Sequence, residues 1–251
     1  MTNEVFLSVV MPAYKEESRI GQTLEAVDQY LRKQMFDYEI LVVNDGSSDK
    51  TAEVVRGYEP KIKGLRLVDN AKNNGKGYVV KQGMLSARGK YRLFMDSDNS
   101  VPIDYFDEFL PYFSQGYDVV IGSIEVAGAK IEEHAAWYRR LLGHWAKLLI
   151  RFMAIWEIHD TQRGFKIFSE KAAREVFPLQ TLTRWGFDIE ILVISKNLGF
   201  RIKELPVTWN NPAGSKVTLG AYFTTLRDLL IVKKNLIFGK YNARKTASKN
   251  I

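Results

Sequence analysis

The apolar positions of this chain alternate between short solid runs and stripes at helical spacing. Phe6-Leu7-Ser8-Val9-Val10-Met11 reads as a buried strand broken by Pro12, and from Glu16 to Lys33 the apolar positions Ile20, Leu24, Val27 and Leu31 recur as on one face of a helix. Tyr38-Glu39-Ile40-Leu41-Val42-Val43 is a second strand; it ends in Asn44-Asp45-Gly46-Ser47-Ser48-Asp49, residue types that cap a new helix over 51–58. Leu65–Val68 follows as a third strand, Gly77–Ala87 as a third helix and Tyr91–Met95 as a fourth strand. A helix over 105–113 and a strand over 118–122 close the first half. This alternation predicts an α/β fold, a mostly parallel, doubly wound sheet with helices on both faces, over residues 1–126.

The pattern changes in the second half. Leu141, Leu142, Trp145, Leu148, Leu149, Phe152, Met153 and Trp156 share one helical face, opposite Arg140, His144, Lys147 and Arg151. Leu219 to Phe238 repeats the arrangement, with Leu226, Leu229, Leu230 and Ile237 against Arg227, Lys233 and Lys234. Basic amphipathic helices suit an anionic membrane surface; packing on the sheet is the alternative. Charge divides in the same place: residues 1–126 hold 15 basic against 19 acidic side chains, residues 127–251 hold 21 against 10. The second half is therefore expected to meet something anionic. No nucleic-acid module accompanies these cations, which are interleaved with apolar helix faces, so no nucleic-acid partner is expected. No uncharged run approaches the roughly 18 residues that span a bilayer, and Met1–Val10 lacks the pattern of a cleaved leader. With no cysteine there is no disulfide, thiolate metal site or cysteine nucleophile. The expected organisation is one domain over 1–240, with halves 1–126 and 127–240, and a basic tail over 241–251.

Candidate chemistry gathers at strand ends. The fourth strand runs into Asp96-Ser97-Asp98, and in open α/β sheets ligands lie beyond the carboxyl ends of the strands. Mg²⁺ and Mn²⁺ take hard oxygen ligands and bridge carboxylates to phosphates. Pro12-Ala13-Tyr14-Lys15-Glu16 ends the first strand and Asp45 the second. Asn73-Asn74-Gly75-Lys76-Gly77 opens a helix where backbone N–H groups and the Lys76 ammonium suit a phosphate. Together these describe a nucleoside-diphosphate site that needs a divalent metal.

Val10–Glu17, Val42–Thr51, Asn74–Gly77 and Asp96-Ser97-Asp98 stand in the order and spacing of the family 2 glycosyltransferases, and the chain resembles that family. The resemblance implies a GT-A fold and an inverting hexose transfer from a nucleotide-sugar. The nucleoside would lie near Pro12, Ala13, Tyr14, Glu16 and Asp45, the diphosphate near Lys76, and Mg²⁺ or Mn²⁺ on Asp96 and Asp98. Asp160–Phe168, Arg184–Leu192, Glu204–Trp209 and Gly214-Ser215-Lys216 resemble the branch that glucosylates dolichyl phosphate. That likeness implies UDP-glucose as donor and a dolichyl or polyprenyl phosphate as acceptor; with the two basic amphipathic helices and no apolar run long enough to span, a peripheral position on the cytoplasmic side of a membrane with no transmembrane helix is expected. The alternatives are GDP-mannose as donor or a saccharide hydroxyl as acceptor. Three positions depart from the pattern: Ser100, where some polyprenyl-phosphate mannosyltransferases carry glutamine, Ile124 in place of the usual arginine, and Arg163 where a small residue or cysteine is common.

A lipid phosphate is already anionic near neutral pH, so catalysis is expected from positioning and from charge stabilisation of the leaving diphosphate. Arg163, Lys166 and Lys216 are the candidate phosphate-neutralising cations. A hydroxyl acceptor would need a base, for which Asp188, with Glu190 behind it, is the candidate; the other reading pairs one of them with Arg184 or makes it a helix cap. His134, His144 and His159 form no metal spacing. Trp185 and Trp209 suit sugar stacking or core packing equally.

Overall fold

The solid apolar runs become the strands of one seven-stranded sheet. The computed structural model describes residues 4–132, 148, 150–210 and 219–242. In chain order the elements are β1 (Leu7–Ala13), α1 (Ile20–Leu31), β2 (Tyr38–Asn44), α2 (Thr51–Tyr58), β3 (Leu65–Asp69), α3 (Lys76–Ser86), β4 (Tyr91–Met95), α4 (Tyr105–Phe109), α5 (Pro111–Ser114), β5 (Val119–Ser123) and β6 (Lys130–Glu132). There follow β7 (Phe165–Ser169), α6 (Glu170–Leu179), α7 (Phe187–Asn197), β8 (Ile202–Pro206), β9 (Thr208–Asn210) and α8 (Leu219–Ile237). The sheet order is β3-β2-β1-β4-β7-β5-β8, and β6 pairs with β9 separately. β1 is parallel to β2 and β4, β2 to β3, and β5 to β8, whereas β7 runs antiparallel to β4 and β5. The expected α/β sheet is present, and in it β5 does not lie beside β4. A strand from the second half is inserted between them, so the two halves share a single sheet.

Alternation along each strand sorts side chains between two cores. Leu7, Val9, Met11, Ile40, Val42, Leu93, Met95, Phe165 and Ile167 pack on the face covered by α1 and α4. Val10, Leu41, Val43, Phe94 and Phe168 pack on the face of α3, α6 and α7. Lys166 falls between Phe165 and Ile167, so its side chain enters the second face and is fully buried there.

Among the boundaries that differ from expectation, three have a local reason. β1 continues through Pro12 to Ala13; β4 pairs only with Leu7–Val10, so one side of β1 has no partner strand at Pro12 and a missing N–H is tolerated there. The helix over 105–113 is two pieces, the second beginning at Pro111, which has no N–H to continue the hydrogen-bond ladder although Leu110 before it keeps helical backbone. α1 starts at Ile20, after a turn in which the N–H groups of Arg19 and Ile20 share the Glu16 carbonyl (3.0 and 2.9 Å), while Glu16 N–H is held by Thr51 Oγ1 (2.8 Å).

Candidate active site

Parallel register brings the ends of β1, β2 and β4 to one edge, and the antiparallel β7 starts there: Ala13 lies opposite Asn44, and Met95 opposite Phe165. The turns leaving this edge carry the two non-glycine residues with left-handed backbone among the described residues, Lys15 (φ 56°) and Asn99 (φ 54°). Such conformations cost energy and cluster where a loop must aim its side chains.

Beyond β1, Pro12 and Ala13 are buried, Tyr14 is exposed, and the Glu16 carboxylate takes both Nε and Nη2 of Arg19 (2.8 Å each). Asp45 is buried, and its two oxygens accept the N–H groups of Asn74 (2.7 Å) and Gly75 (3.0 Å). The turn expected to offer these two N–H groups to a phosphate has therefore given them to Asp45, which clamps it to the end of β2. The first turn of α3 is also covered, since Tyr78 N donates to the Thr183 carbonyl (3.1 Å). The group this turn does present is the Lys76 side chain.

Lys76 Nζ lies 2.6 Å from Asp96 Oδ1, between the rings of Phe94 (5.4 Å) and Trp185 (5.3 Å). Burial works against its ammonium, but Asp96, Asp188 and Asp98 outweigh it and hold the pKa above the ordinary lysine value. Asp98 accepts from Ser100 N (3.0 Å), and its other oxygen is 4.0 Å from Arg19 Nη1. Asp96 and Asp98 keep 27% and 23% of their side-chain surface exposed. Beside them the Asn99 Oδ1 is buried without a hydrogen-bond partner. Among the described residues no third carboxylate, histidine or cysteine joins a metal-holding cluster. Two accessible carboxylates suit Mg²⁺ or Mn²⁺ whose remaining ligands are phosphate oxygens and water, the usual manner in which such ions bridge protein and diphosphate.

The second half supplies one wall. Lys166 Nζ contacts Asp188 Oδ1 and the Arg163 carbonyl, each at 2.5 Å, with both side chains of the pair inaccessible. Burial raises the pKa of Asp188 against the pull of Lys166 and Lys76. Lys166 and Asp188 are spent on each other, out of reach of solvent. Arg163 is different: Asp160 holds its Nε (3.0 Å) and Trp209 underlies its guanidinium (4.5 Å to the ring centre), which leaves part of the fork facing outward. Glu190 is fully buried and accepts from Thr181 N, Thr181 Oγ1, Leu182 N and the Tyr241 hydroxyl, so it caps the chain segment before α7 rather than pairing with Arg184. Trp185, exposed at the tip of that segment, overhangs Lys76.

Arg19 stands in none of the quoted motifs, and Asp160 and Gly164 lie in the Asp160–Phe168 stretch without a role of their own. A Cβ on Gly164 would be driven into the Asp96 carboxylate, and Asp160 Oδ2 also accepts from Ile124 N (3.2 Å). The available signal was the spacing Asp160-x-x-Arg163-Gly164. His159 rests on Glu204 (3.0 Å). Lys216, His134, His144, most of the 140–156 stripe and the tail beyond 242 lie outside the described residues.

Comparison with known proteins gives one answer. The Glycosyl transferase family 2 profile matches residues 8–177. A dolichyl-phosphate beta-glucosyltransferase of Trichomonas vaginalis is 37% identical over 91% of this chain and 71% of its own length. The Homo sapiens dolichyl-phosphate beta-glucosyltransferase is 30% identical over 97% of this chain and 80% of its own length. Among solved structures, Mycobacterium tuberculosis glucosyl-3-phosphoglycerate synthase in complex with Mn²⁺, UDP-glucose and phosphoglyceric acid superposes with a TM-score of 0.65 at 18% identity, over 92% of this chain and 80% of that one.

Proposed function

This chain belongs to glycosyltransferase family 2, and we propose that it transfers glucose, with inversion, from UDP-glucose to a dolichyl or polyprenyl phosphate at a membrane surface. The observation that carries the reading is the pair of accessible carboxylates, Asp96 and Asp98, faced by Lys76 and Arg19 at the sheet edge where the Pro12–Glu16 turn also ends. The glucose donor and lipid-phosphate acceptor are drawn from the dolichyl-phosphate beta-glucosyltransferases of which this chain covers most of the length.

In this reading Pro12, Ala13, Tyr14 and Glu16 border the nucleoside, with Asp45 shaping the wall through its clamp on residues 74–75. Asp96 and Asp98 hold Mg²⁺ or Mn²⁺, which when bound withdraws charge from the diphosphate as it departs. Lys76 and Arg19 supply further positive charge at the same place. Arg163, aimed by Asp160 and stacked on Trp209, meets the acceptor phosphate with its free N–H groups. Lys166 and Asp188 act through position, fixing β7 to α7 below the reacting groups. The burial of Asp188 against Lys166 supports an acceptor that needs no deprotonation, and so favours phosphate over a sugar hydroxyl.

The test is a matrix of radiolabelled UDP-glucose, UDP-GlcNAc and GDP-mannose against dolichyl phosphate in detergent, with Mg²⁺, Mn²⁺ or EDTA, and Asp98→Ala as the control. Label from UDP-glucose enters the organic phase only with metal, and Asp98→Ala retains its fold with turnover lost. Labelling from GDP-mannose alone would replace the donor; binding of a nucleotide-sugar with no lipid labelled would replace the acceptor.

A further inference from the structure

The cations that face the two exposed carboxylates occupy the place where a divalent ion would have to bind. Asp96 is paired with Lys76 at 2.6 Å and Asp98 faces Arg19 at 4.0 Å; behind them Asp188 is paired with Lys166. Counted as a set, Arg19, Lys76 and Lys166 stand against Asp96, Asp98, Asp188 and Glu16, which holds Arg19 at 2.7 Å, so this part of the site carries one negative charge in excess. A divalent ion alone would reverse that balance, and the diphosphate of a nucleotide-sugar, with one negative charge per phosphate, would make it strongly negative. The two together leave it as it was.

Lys76 is the member of the set able to change partner. It has a flexible stem, keeps one-fifth of its side-chain surface exposed, and lies over the faces of Phe94 and Trp185. Lys166, by contrast, is sealed between Asp188 and the Arg163 carbonyl.

We propose that Lys76 is an internal placeholder for the metal: its ammonium neutralises Asp96 until metal and diphosphate arrive together, then yields the carboxylate to the ion and passes to a phosphate oxygen. This rests on reading the site as one for a metal-bound diphosphate. Lys76 is thus a positioning residue that makes metal and donor bind interdependently and keeps the free site from holding a metal without a donor. By linkage, the factor by which Mn²⁺ tightens UDP-glucose equals that by which UDP-glucose tightens Mn²⁺.

The experiment measures binding, not turnover. Mn²⁺ affinity is read from the loss of the free-ion electron paramagnetic resonance signal, and UDP-glucose affinity by calorimetry in EDTA, for the unaltered chain, Lys76→Met and Lys76→Arg, with circular dichroism to confirm folding. The expected result is that Lys76→Met binds Mn²⁺ alone about tenfold more tightly and UDP-glucose alone about tenfold more weakly, the scale of one partly buried charge contact. Lys76→Arg, which keeps the charge, stays close to the unaltered chain for Mn²⁺ alone. A site merely damaged by the substitution would lose Mn²⁺ affinity rather than gain it. Unchanged or weaker Mn²⁺ binding in Lys76→Met, while the unaltered chain binds Mn²⁺ with UDP-glucose, overturns the placeholder and leaves the site reading standing. If the unaltered chain binds no Mn²⁺ even with UDP-glucose, the site reading fails and the placeholder fails with it.

Discussion

Gly164 sets how close the start of β7 can come to Asp96. Its carbonyl accepts the Asp96 N–H (3.0 Å), and no side chain fits between them. Gly164→Ala is expected to push the Asp96 carboxylate off Lys76 while leaving the sheet intact, because the clash is confined to one side chain at a loop. Displacements of this size cost about 10²-fold in turnover; steady-state kinetics beside a melting curve separates this from unfolding, which would show as a large fall in Tm. At this scale the sequence was readable in where a residue stands, as with Asp96 and Asp98 just beyond the end of β4. It was not readable where the role comes from a neighbour. Lys166 and Asp188 looked like a phosphate ligand and a base, yet 22 positions apart in the chain they bury each other, because side-chain alternation on β7 turns Lys166 into the core. Asp45 reads as a nucleoside contact, but its oxygens are spent on the Asn74 and Gly75 N–H groups.

Elements of the second half are tied to the site through one buried carboxylate. Glu190 at the start of α7 holds the chain at Thr181–Leu182 and, through Tyr241, the stretch that follows α8; Asn235 on α8 donates to the same hydroxyl (3.1 Å). Removing the hydroxyl in Tyr241→Phe leaves a buried acceptor short of a donor, at about 1–3 kcal/mol, a fall in Tm of about 2–10 °C for a chain of this size. The pH dependence carries its own signature. Burial, with Glu190 beside it, raises the Tyr241 pKa above its ordinary value near 10. The folded state therefore keeps a proton the unfolded chain releases, and this share of stability is full below about pH 10 and declines as pH rises from there. Urea midpoints across pH 8–11 are expected to fall less steeply in Tyr241→Phe than in the unaltered chain. The helix α8 itself was legible from its period, its bounds differing by one residue from expectation; the carboxylate that anchors it was not, since nothing in the spacing of Glu190 and Tyr241 shows that they meet.

Over the whole molecule, the acidic half builds the sheet edge and the basic half adds an outward apolar stripe. Leu229, Val232 and Asn235 of α8 face the core, while Leu226, Leu230 and Ile237 form an exposed row flanked by Arg227, Lys233 and Lys234, with exposed Phe238 just beyond the helix. Phe152 and Trp156 are exposed as well, and among the described residues no helix is long and apolar enough to cross a membrane. Flotation with anionic vesicles is expected to capture the chain, more weakly in high salt, and Leu230→Glu with Ile237→Glu to release it with UDP-glucose binding retained; capture unaffected by the double substitution would exclude α8 as the contact. The α/β class, the mostly parallel sheet of the first half and the acid pair at a strand end were determined by the sequence alone, because apolar period and turn chemistry are local properties of the chain. The insertion of β7 between β4 and β5, the pairing of Lys166 with Asp188, and the seating of Lys76 on Asp96 were decided only by tertiary structure. Each depends on which distant segments become neighbours and so on which charges leave water, and a buried charge takes whatever partner packing brings within reach.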